Sequence, residues 1–160
     1  MSYDSVKKFF ESKGLEDHLM TLDGSGATVA EAAVTIGCEE REVAKTMSFL
    51  IENQPVLVVT SGDARVDNRK YKDTFHKKAK MIPWDSVEEL VGHAPGGVNP
   101  FGVKDGVKIY LDDSLKSLTN LYPAAGDGTH AIKLTLDELV GLVDFEGWVD
   151  ICSVPQADVN

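Results

Sequence analysis

The period of the apolar residues changes near residue 45, and this change most limits the folds open to the chain. Residues 3–13 carry apolar side chains at helical spacing. Thr46 to Ile51 and Val56 to Thr60, in contrast, are runs of strand-forming residues. The turn-forming segment Glu52-Asn53-Gln54-Pro55 separates them, so this region predicts a β-hairpin.

Further helices and strands are predicted on both sides of this hairpin. Thr28-x-x-Glu31 and Thr135-x-x-Glu138 resemble capping boxes and predict helices to Ile36 and to about Val143. The other predicted helices are 39–43, 67–78 and 84–91, and the other predicted strands are 107–111, 121–124, 130–134 and 148–151. Strict βαβ alternation is absent. We therefore predict a single α+β domain, with a mixed, mostly antiparallel β-sheet surrounded by helices.

Length and charge bound the domain and its partners. The chain has 160 residues, a length typical of one domain. We assign residues 1–153 to this domain and expect residues 154–160 to be a polar tail that frays. The chain has 16 Lys plus Arg and 26 Asp plus Glu, a formal charge of −10. This charge argues against broad binding to DNA or to an anionic membrane, but it leaves a local basic face open.

Cysteine content and the N-terminal residues indicate the cellular compartment in which the protein works. The two cysteines, Cys38 and Cys152, are too few for a disulfide framework, as is typical of a reducing environment. No apolar run follows Met1-Ser2-Tyr3-Asp4, so no secretory signal is predicted. The longest apolar stretch, near residues 56–59, is far short of the roughly 20 residues that a membrane helix needs. We therefore expect a cytoplasmic protein without membrane contact.

Familiar catalytic motifs are missing from the sequence. It contains no G-x-S-x-G elbow, no P-loop and no H-E-x-x-H pair. The histidines His18, His76, His93 and His130 have no second ligand at short spacing. We therefore predict neither a metal nor a cofactor.

Lys45 is a candidate active-site cation. It lies between the predicted helix 39–43 and the strand that starts at Thr46, among largely apolar neighbours. An ammonium at the mouth of a sheet can hold a phosphate or polarise a carbonyl. The alternative is a solvated lysine at a helix C-terminus.

Two glycine-rich segments are candidate binding loops. The first is His93-Ala94-Pro95-Gly96-Gly97-Val98-Asn99-Pro100-Phe101-Gly102, and the second is Ala125-Gly126-Asp127-Gly128-Thr129-His130. Glycines let a ligand approach the backbone, whose amides can bind a carbonyl or carboxylate oxygen. His130 could act near neutral pH. The alternatives are an ordinary surface turn and a hairpin turn.

An ordered set of motifs carries a resemblance to a known family. Lys45-Thr46 is followed by Ser61-Gly62-Asp63-Ala64-Arg65-Val66-Asp67, by Gly96 to Gly102 and by Tyr110-Leu111-Asp112-Asp113-Ser114-Leu115. This order resembles the YbaK family, also called the prolyl-tRNA synthetase-associated editing domain family, from about Thr28 to Leu139. The resemblance implies a single α+β domain around a mixed sheet. It also implies hydrolysis of the ester of mischarged aminoacyl-tRNA, commonly tRNA(Pro) carrying Ala or Cys, by an enzyme that acts in trans.

The resemblance also implies site residues and partners. The family's key lysine falls on Lys45, and its G-x-x-x-P loop falls on Gly96 to Pro100, which includes Gly97 and Val98. Its glycine turn falls on Gly126, with Asp127, Gly128 and Thr129 beside it, and His130 stands where some branches have a histidine. The implied partners are the acceptor end of mischarged tRNA and prolyl-tRNA synthetase.

Two departures leave the amino acid that is removed open. Thr46 follows the lysine where the alanine-clearing branch tends to have Asn, and Ala131 stands where the cysteine-clearing branch tends to be acidic. The nucleophile is also open, between water and a substrate group such as the terminal ribose hydroxyl or a Cys side chain. We expect amides of Gly96 to Val98 and Gly126 to Gly128 to stabilise the oxyanion. The expected pocket residues on the strand and helices are Val29, Thr46 and Met47.

A local basic segment could bind nucleic acid although the net charge of the chain is negative. Residues 65–80 contain seven Lys or Arg and two Asp. From this segment we predict tRNA contacts by Arg65, Arg69, Lys70, Lys72 and Lys77. The alternative is a solvated charged helix.

Other functions fit parts of the sequence. A non-catalytic tRNA- or synthetase-binding module would bind tRNA without loss of the aminoacyl group. An unrelated small-molecule esterase would turn over simple esters without tRNA.

Overall fold

A computed structural model describes residues 2–26 and 28–155. From residue 156 onward, the predicted tail lies outside the described residues. The helices within them are α1 (Ser2–Ser12), α2 (Val29–Ile36), α3 (Asn68–Phe75), α4 (Val87–Val91) and α5 (Leu136–Leu142). None of these helices is long and apolar enough to cross a membrane.

The strands form one central sheet and three smaller pairs. They are β1 (Leu19–Thr21), β2 (Lys45–Ile51), β3 (Gln54–Thr60), β4 (Arg65–Val66), β5 (Lys108–Asp112), β6 (Asn120–Leu121), β7 (His130–Ile132), β8 (Leu134–Thr135), β9 (Gly147–Val149) and β10 (Cys152–Ser153). The central sheet has the order β2-β3-β5-β9. Its β2–β3 pair is antiparallel, whereas β5 runs parallel to both β3 and β9. The pairs β1–β7, β4–β10 and β6–β8 are antiparallel. Four of these six strand pairs in the described residues are antiparallel, so the predicted α+β fold with a mixed, mostly antiparallel sheet is confirmed.

The predicted hairpin forms the edge of the central sheet. Its register pairs Lys45 with Thr60 at one end and Ile51 with Gln54 at the other. Glu52 and Asn53 have positive φ angles of 51° and 67°. Two such residues are typical of the type I′ turn, whose twist matches that of the flanking strands.

Alternate side chains of the sheet enter two cores. Val56 and Val58 face a smaller core that includes Tyr71 of α3, whose ring lies 4.9 Å from that of Phe49. Leu57 and Val59 face the main core, to which α1, α4 and α5 contribute. The basic helix α3 thus packs on the opposite face of the sheet from the other main-core helices.

Three differences from the sequence prediction have local causes. Helix α3 ends at Phe75 rather than near Lys78, because His76 takes a left-handed conformation with φ 61°. The predicted helix 84–91 begins as a 3₁₀ turn, Trp84–Ser86, before α4. Strands β1, β4 and β10 were not predicted, since runs of two or three residues are too short to show a period.

Candidate functional site

The carboxyl ends of β3 and β5 bring two of the sequence motifs together. Because the strands are parallel, the segments that follow Thr60 and Asp112 leave the sheet at the same end, where the strands' carboxyl ends lie. The Ser61 amide donates a hydrogen bond to Ser114 Oγ at 3.0 Å. The buried Asp112 carboxylate accepts from the amides of Ser114 and Ile151, both at 2.9 Å. Ligand sites of parallel sheets commonly form at such an end.

Lys45 lies at this same end of the sheet because β2 is antiparallel to β3. It is the first residue of β2 and pairs with Thr60, the last residue of β3. Its ammonium donates a hydrogen bond to the carbonyl oxygen of Ala64. Burial lowers the pKa of Lys45, and Arg65 lowers it further, while Cys152 and Asp63 act in the opposite direction. The alternative of a solvated lysine at a helix C-terminus does not describe this position, because Lys45 begins β2, is partly buried and is hydrogen-bonded.

Cys152 carries the thiol that interacts electrostatically with Lys45. Burial, helped by Asp112, raises the pKa of Cys152 to about 12. The thiol therefore stays protonated near neutral pH, and the thiolate is the nucleophilic form.

A cavity of about 290 Å³ lies beside β2, and most of its wall is apolar. Several predicted site residues line it: Val29, Lys45, Thr46, Met47, Gly96, Val98 and His130. The hydroxyl of Thr46 is buried and has no hydrogen-bond partner among the described residues. An unpaired buried hydroxyl is costly, so Thr46 presents an unused polar group beside the cavity.

The two glycine loops cross at Gly97 and Gly126. The Gly126 amide donates to the Gly97 carbonyl oxygen at 2.9 Å, and the Gly97 amide donates to the Ala94 carbonyl oxygen at 2.9 Å. A Cβ atom on Gly97 would lie 2.1 Å from the carbonyl carbon of Gly126, so the crossing requires glycine at this position. Asn99, fully buried, braces the first loop through the Gly97 carbonyl oxygen and the Phe101 amide.

This crossing corrects part of the predicted oxyanion site. The amides of Gly97 and Gly126 are already bonded and cannot serve as donors to a substrate. Of the predicted donors, the amides of Gly96 and Val98 have no acceptor among residues 2–26 and 28–155, and both residues line the cavity. Pro100, Asp127, Gly128 and Thr129 do not line the cavity; they build the loops behind it.

Two contacts hold His130 at the cavity wall. Its Nδ1 lies 2.9 Å from Asp127 Oδ1, and its ring stacks on Tyr3 at 3.7 Å between centroids. Burial alone would raise the pKa of Asp127. Hydrogen bonds from the Thr129 amide, His130 and the Thr129 hydroxyl outweigh that effect and lower the pKa. The ionised carboxylate only accepts, so it requires a proton on Nδ1, and in the neutral ring the lone pair is then on Nε2.

The predicted tRNA-contact residues fall into two groups. Lys70 bonds to Asp150 Oδ1 at 3.1 Å and to the Cys152 carbonyl oxygen at 2.9 Å, and Lys77 lies 3.3 Å from Glu52. Arg65, Arg69 and Lys72 are exposed, and no carboxylate pairs with them in the part of the chain that the structure describes. The unpaired group is therefore the better candidate for contact with phosphates.

Several cavity residues had no signal in the sequence. Met81 and Trp84 come from the segment that covers the edge of β2, and Tyr122, Pro123 and Ala124 come from the segment before the second glycine loop. Their positions at the cavity depend on contacts between distant segments, which no sequence period marks. Within the described residues, no group of three or more His, Cys, Asp or Glu is placed to hold a metal.

Comparison with known proteins places this arrangement in a family. The family model described as the aminoacyl-tRNA editing domain matches residues 23–142. The uncharacterized protein YwhH of Bacillus subtilis is 40% identical over 153 residues, 95% of this chain and 98% of that protein. A candidate trans-editing enzyme for prolyl-tRNA synthetase, known from a crystal structure, superimposes with a TM-score of 0.84 and 27% identity. The match covers 95% of this chain and 97% of that one.

Proline–tRNA ligases are also similar to this chain. The ligase of Limosilactobacillus fermentum is 33% identical over 138 residues, 80% of this chain. This match spans only 24% of that ligase, so the similarity is to one part of a larger enzyme. The family match covers most of the sequence, including Lys45 and both glycine loops. The chain therefore belongs to the aminoacyl-tRNA editing domain family.

Proposed function

We propose that the protein is a trans-editing aminoacyl-tRNA deacylase that hydrolyses the ester of mischarged tRNA. The observation that carries the proposal is that Lys45, Gly96 and Val98 line one apolar cavity and that the amides of Gly96 and Val98 have no acceptor among the described residues. A cation and two amide donors suit the developing charge of an ester under attack. The family match and the structural neighbour's description support this activity.

The reaction that these residues favour is attack by water on the ester carbonyl carbon. Lys45 holds a phosphate of the tRNA 3′ end or the carbonyl oxygen, and the Gly96 and Val98 amides stabilise the oxyanion. His130 Nε2 accepts the proton of the attacking water. The bond between the carbonyl carbon and the ribose oxygen then breaks, and its electron pair goes to the ribose oxygen, which takes up a proton. The products are the free amino acid and uncharged tRNA.

The walls of the cavity favour a small amino acid. Val29, Met47 and Val98 limit the space beside the reacting ester, and the cavity volume is at the small end of the range for ligand sites. One methylene changes affinity by only about 1–3 kcal/mol, so exclusion by size has to do much of the selection. We propose tRNA(Pro) carrying Ala, Cys or a similar residue as the substrate, and prolyl-tRNA synthetase as a partner, as the ligase relatives support.

A deacylation panel tests the proposal. The protein is incubated with Ala-, Cys-, Ser-, Thr- and 2-aminobutyryl-tRNA(Pro), with correctly charged tRNAs as controls. We expect hydrolysis of at least one small mischarged species and sparing of Pro-tRNA(Pro). Binding of these tRNAs without hydrolysis of any would favour the non-catalytic binding module instead. Turnover of simple esters without turnover of any tRNA would favour the esterase.

A further inference from the structure

An exposed tryptophan stands at the rim of the cavity. Trp84 lines the cavity, yet 73% of its surface is exposed, and its neighbour Met81 is 47% exposed. Large apolar side chains that remain this open beside a site commonly contact a ligand or partner. Nothing in the chemistry proposed above uses them.

The backbone holds Trp84 firmly in this position. The segment 80–82 runs beside β2: the Leu50 amide donates to the Lys80 carbonyl oxygen at 2.9 Å, and the Ile82 amide donates to the Ser48 carbonyl oxygen at 3.0 Å. Ile82 and Val87, on either side of Trp84, are buried in the main core. The indole is therefore presented outward from an anchored segment.

The positive charge of the residues before Trp84 indicates that Trp84 contacts a nucleic acid rather than a protein side chain. The chain between α3 and Trp84 carries three exposed lysines, Lys77, Lys78 and Lys80, of which Lys77 is paired with Glu52. Arg69 and Lys72 on α3 extend the same basic segment. Asp85 follows Trp84 and is the nearest acidic residue in the sequence. A basic surface with an aromatic side chain at its end is the arrangement by which proteins hold single-stranded nucleic acid.

We infer that Trp84, supported by Met81, stacks on an unpaired nucleobase at the 3′ end of the tRNA. The inference rests on the proposed function, because an ester held beside Lys45 brings the single-stranded CCA end to the cavity rim. Stacking would hold the end in place without reading its sequence, since every base has a π face. The positioning would strengthen tRNA binding and leave the chemical step unchanged.

Indole fluorescence tests the stacking without any reaction. The chain has two tryptophans, and Trp148 lies in β9 beside Phe145 and Lys116. In a Trp148→Phe protein, Trp84 is the one remaining fluorophore. Its emission is titrated with a short RNA ending in CCA and with the same RNA carrying abasic residues at its last three positions. We expect quenching by the first, and affinity at least 5-fold weaker with the second.

Measurements of tRNA binding by Trp84 variants test whether this side chain is the one that stacks. Trp84→Ala should weaken binding of uncharged tRNA about 5- to 100-fold, and Trp84→Phe should retain most of the affinity. If the intact and abasic RNAs behave alike, or Trp84→Ala binds tRNA as the wild type does, base stacking is wrong. If Trp84→Ala instead loses only the binding of prolyl-tRNA synthetase, the rim is a protein contact and the inference is overturned. A protein that stacks RNA but hydrolyses no mischarged tRNA would contradict the proposed function alone.

Discussion

The amide of Gly126 donates a hydrogen bond to the carbonyl oxygen of Gly97 at 2.9 Å, and this bond joins the two glycine loops. A Cβ atom on Gly97 would lie 2.1 Å from the Gly126 carbonyl carbon and 2.2 Å from the Asp127 nitrogen. The two loops are therefore in direct backbone contact at this crossing. The loops that sequence reasoning treated as two separate candidates are one structural unit.

Substitution of Gly97 tests this crossing. Gly97→Ala should lower the free energy of unfolding by about 1–3 kcal/mol, because backbone atoms have to shift to admit the methyl group. Gly141→Ala is the matched control: Gly141 lies in α5, where an added Cβ meets nothing within 4 Å. It should stabilise the protein by up to about 1 kcal/mol through helix propensity. Urea unfolding measures both, and equal effects would contradict the close crossing.

The pair of Asp127 and His130 predicts a rate effect. Asp127→Asn replaces an acceptor-only carboxylate with an amide that can also donate, so the ring loses its fixed tautomer. Single-turnover deacylation should slow by about 100-fold, within the range of general-base catalysis, while tRNA binding changes little. An unchanged rate would mean that Asp127 only shapes the loop.

His18 links the N-terminal region to α5 in a pH-dependent way. Its Nε2 lies 2.8 Å from Glu138 Oε2, and this hydrogen bond is the main cause of the raised pKa of His18. The pair's contribution to stability is therefore complete below the unfolded pKa of about 6.5 and is lost as pH rises through the folded value. NMR titration should give a His18 pKa above 6.5 in the wild type.

Substitution of the partner provides the control for His18. Glu138→Gln should lower the His18 pKa, while Gln preserves the capping role that Glu138 has toward Thr135. Asp17→Asn should lower it less, because Asp17 contributes less to the shift. A His18 pKa that is the same in wild type and Glu138→Gln would refute the pairing.

The basic segment predicts salt-dependent tRNA binding. Arg69 and Lys72 are exposed and unpaired within the described residues. Replacing both with Ala should weaken tRNA binding and reduce the slope of log K against log salt by roughly 2. Lys108→Ala is the control, because Lys108 pairs with Val56, toward the opposite end of β3 from Lys45. Equal slopes in the double variant and the wild type would exclude phosphate contact by this helix.

Much of the fold was predictable because it follows from local chemistry. The β2–β3 hairpin, the Thr28 cap of α2 and the capping box of α5 are all present where turn and cap residues predicted them. The two-residue strands β4 and β10 were not predictable, since their pairing depends on the chain path around the sheet and not on a period.

The sequence identified several residues of the candidate site, but it predicted their roles less well. Lys45, Gly96 and Val98 were identified from sequence and line the cavity. The structural role of Gly126 could not be predicted, because its amide donates a hydrogen bond to Gly97, about 30 residues away in the chain. Trp84 was overlooked for a similar reason: its position at the rim depends on the pairing of residues 80–82 with β2.

The most direct test of the central claim is the single-turnover rate of deacylation of the best mischarged tRNA(Pro) by wild type, Lys45→Ala and Lys108→Ala proteins. Circular dichroism and urea unfolding verify that each variant is folded. The account predicts hydrolysis by the wild type and Lys108→Ala, and loss of more than about 100-fold in Lys45→Ala, because the cation beside the ester is gone. A folded Lys45→Ala protein that hydrolyses the ester at the wild-type rate would contradict it.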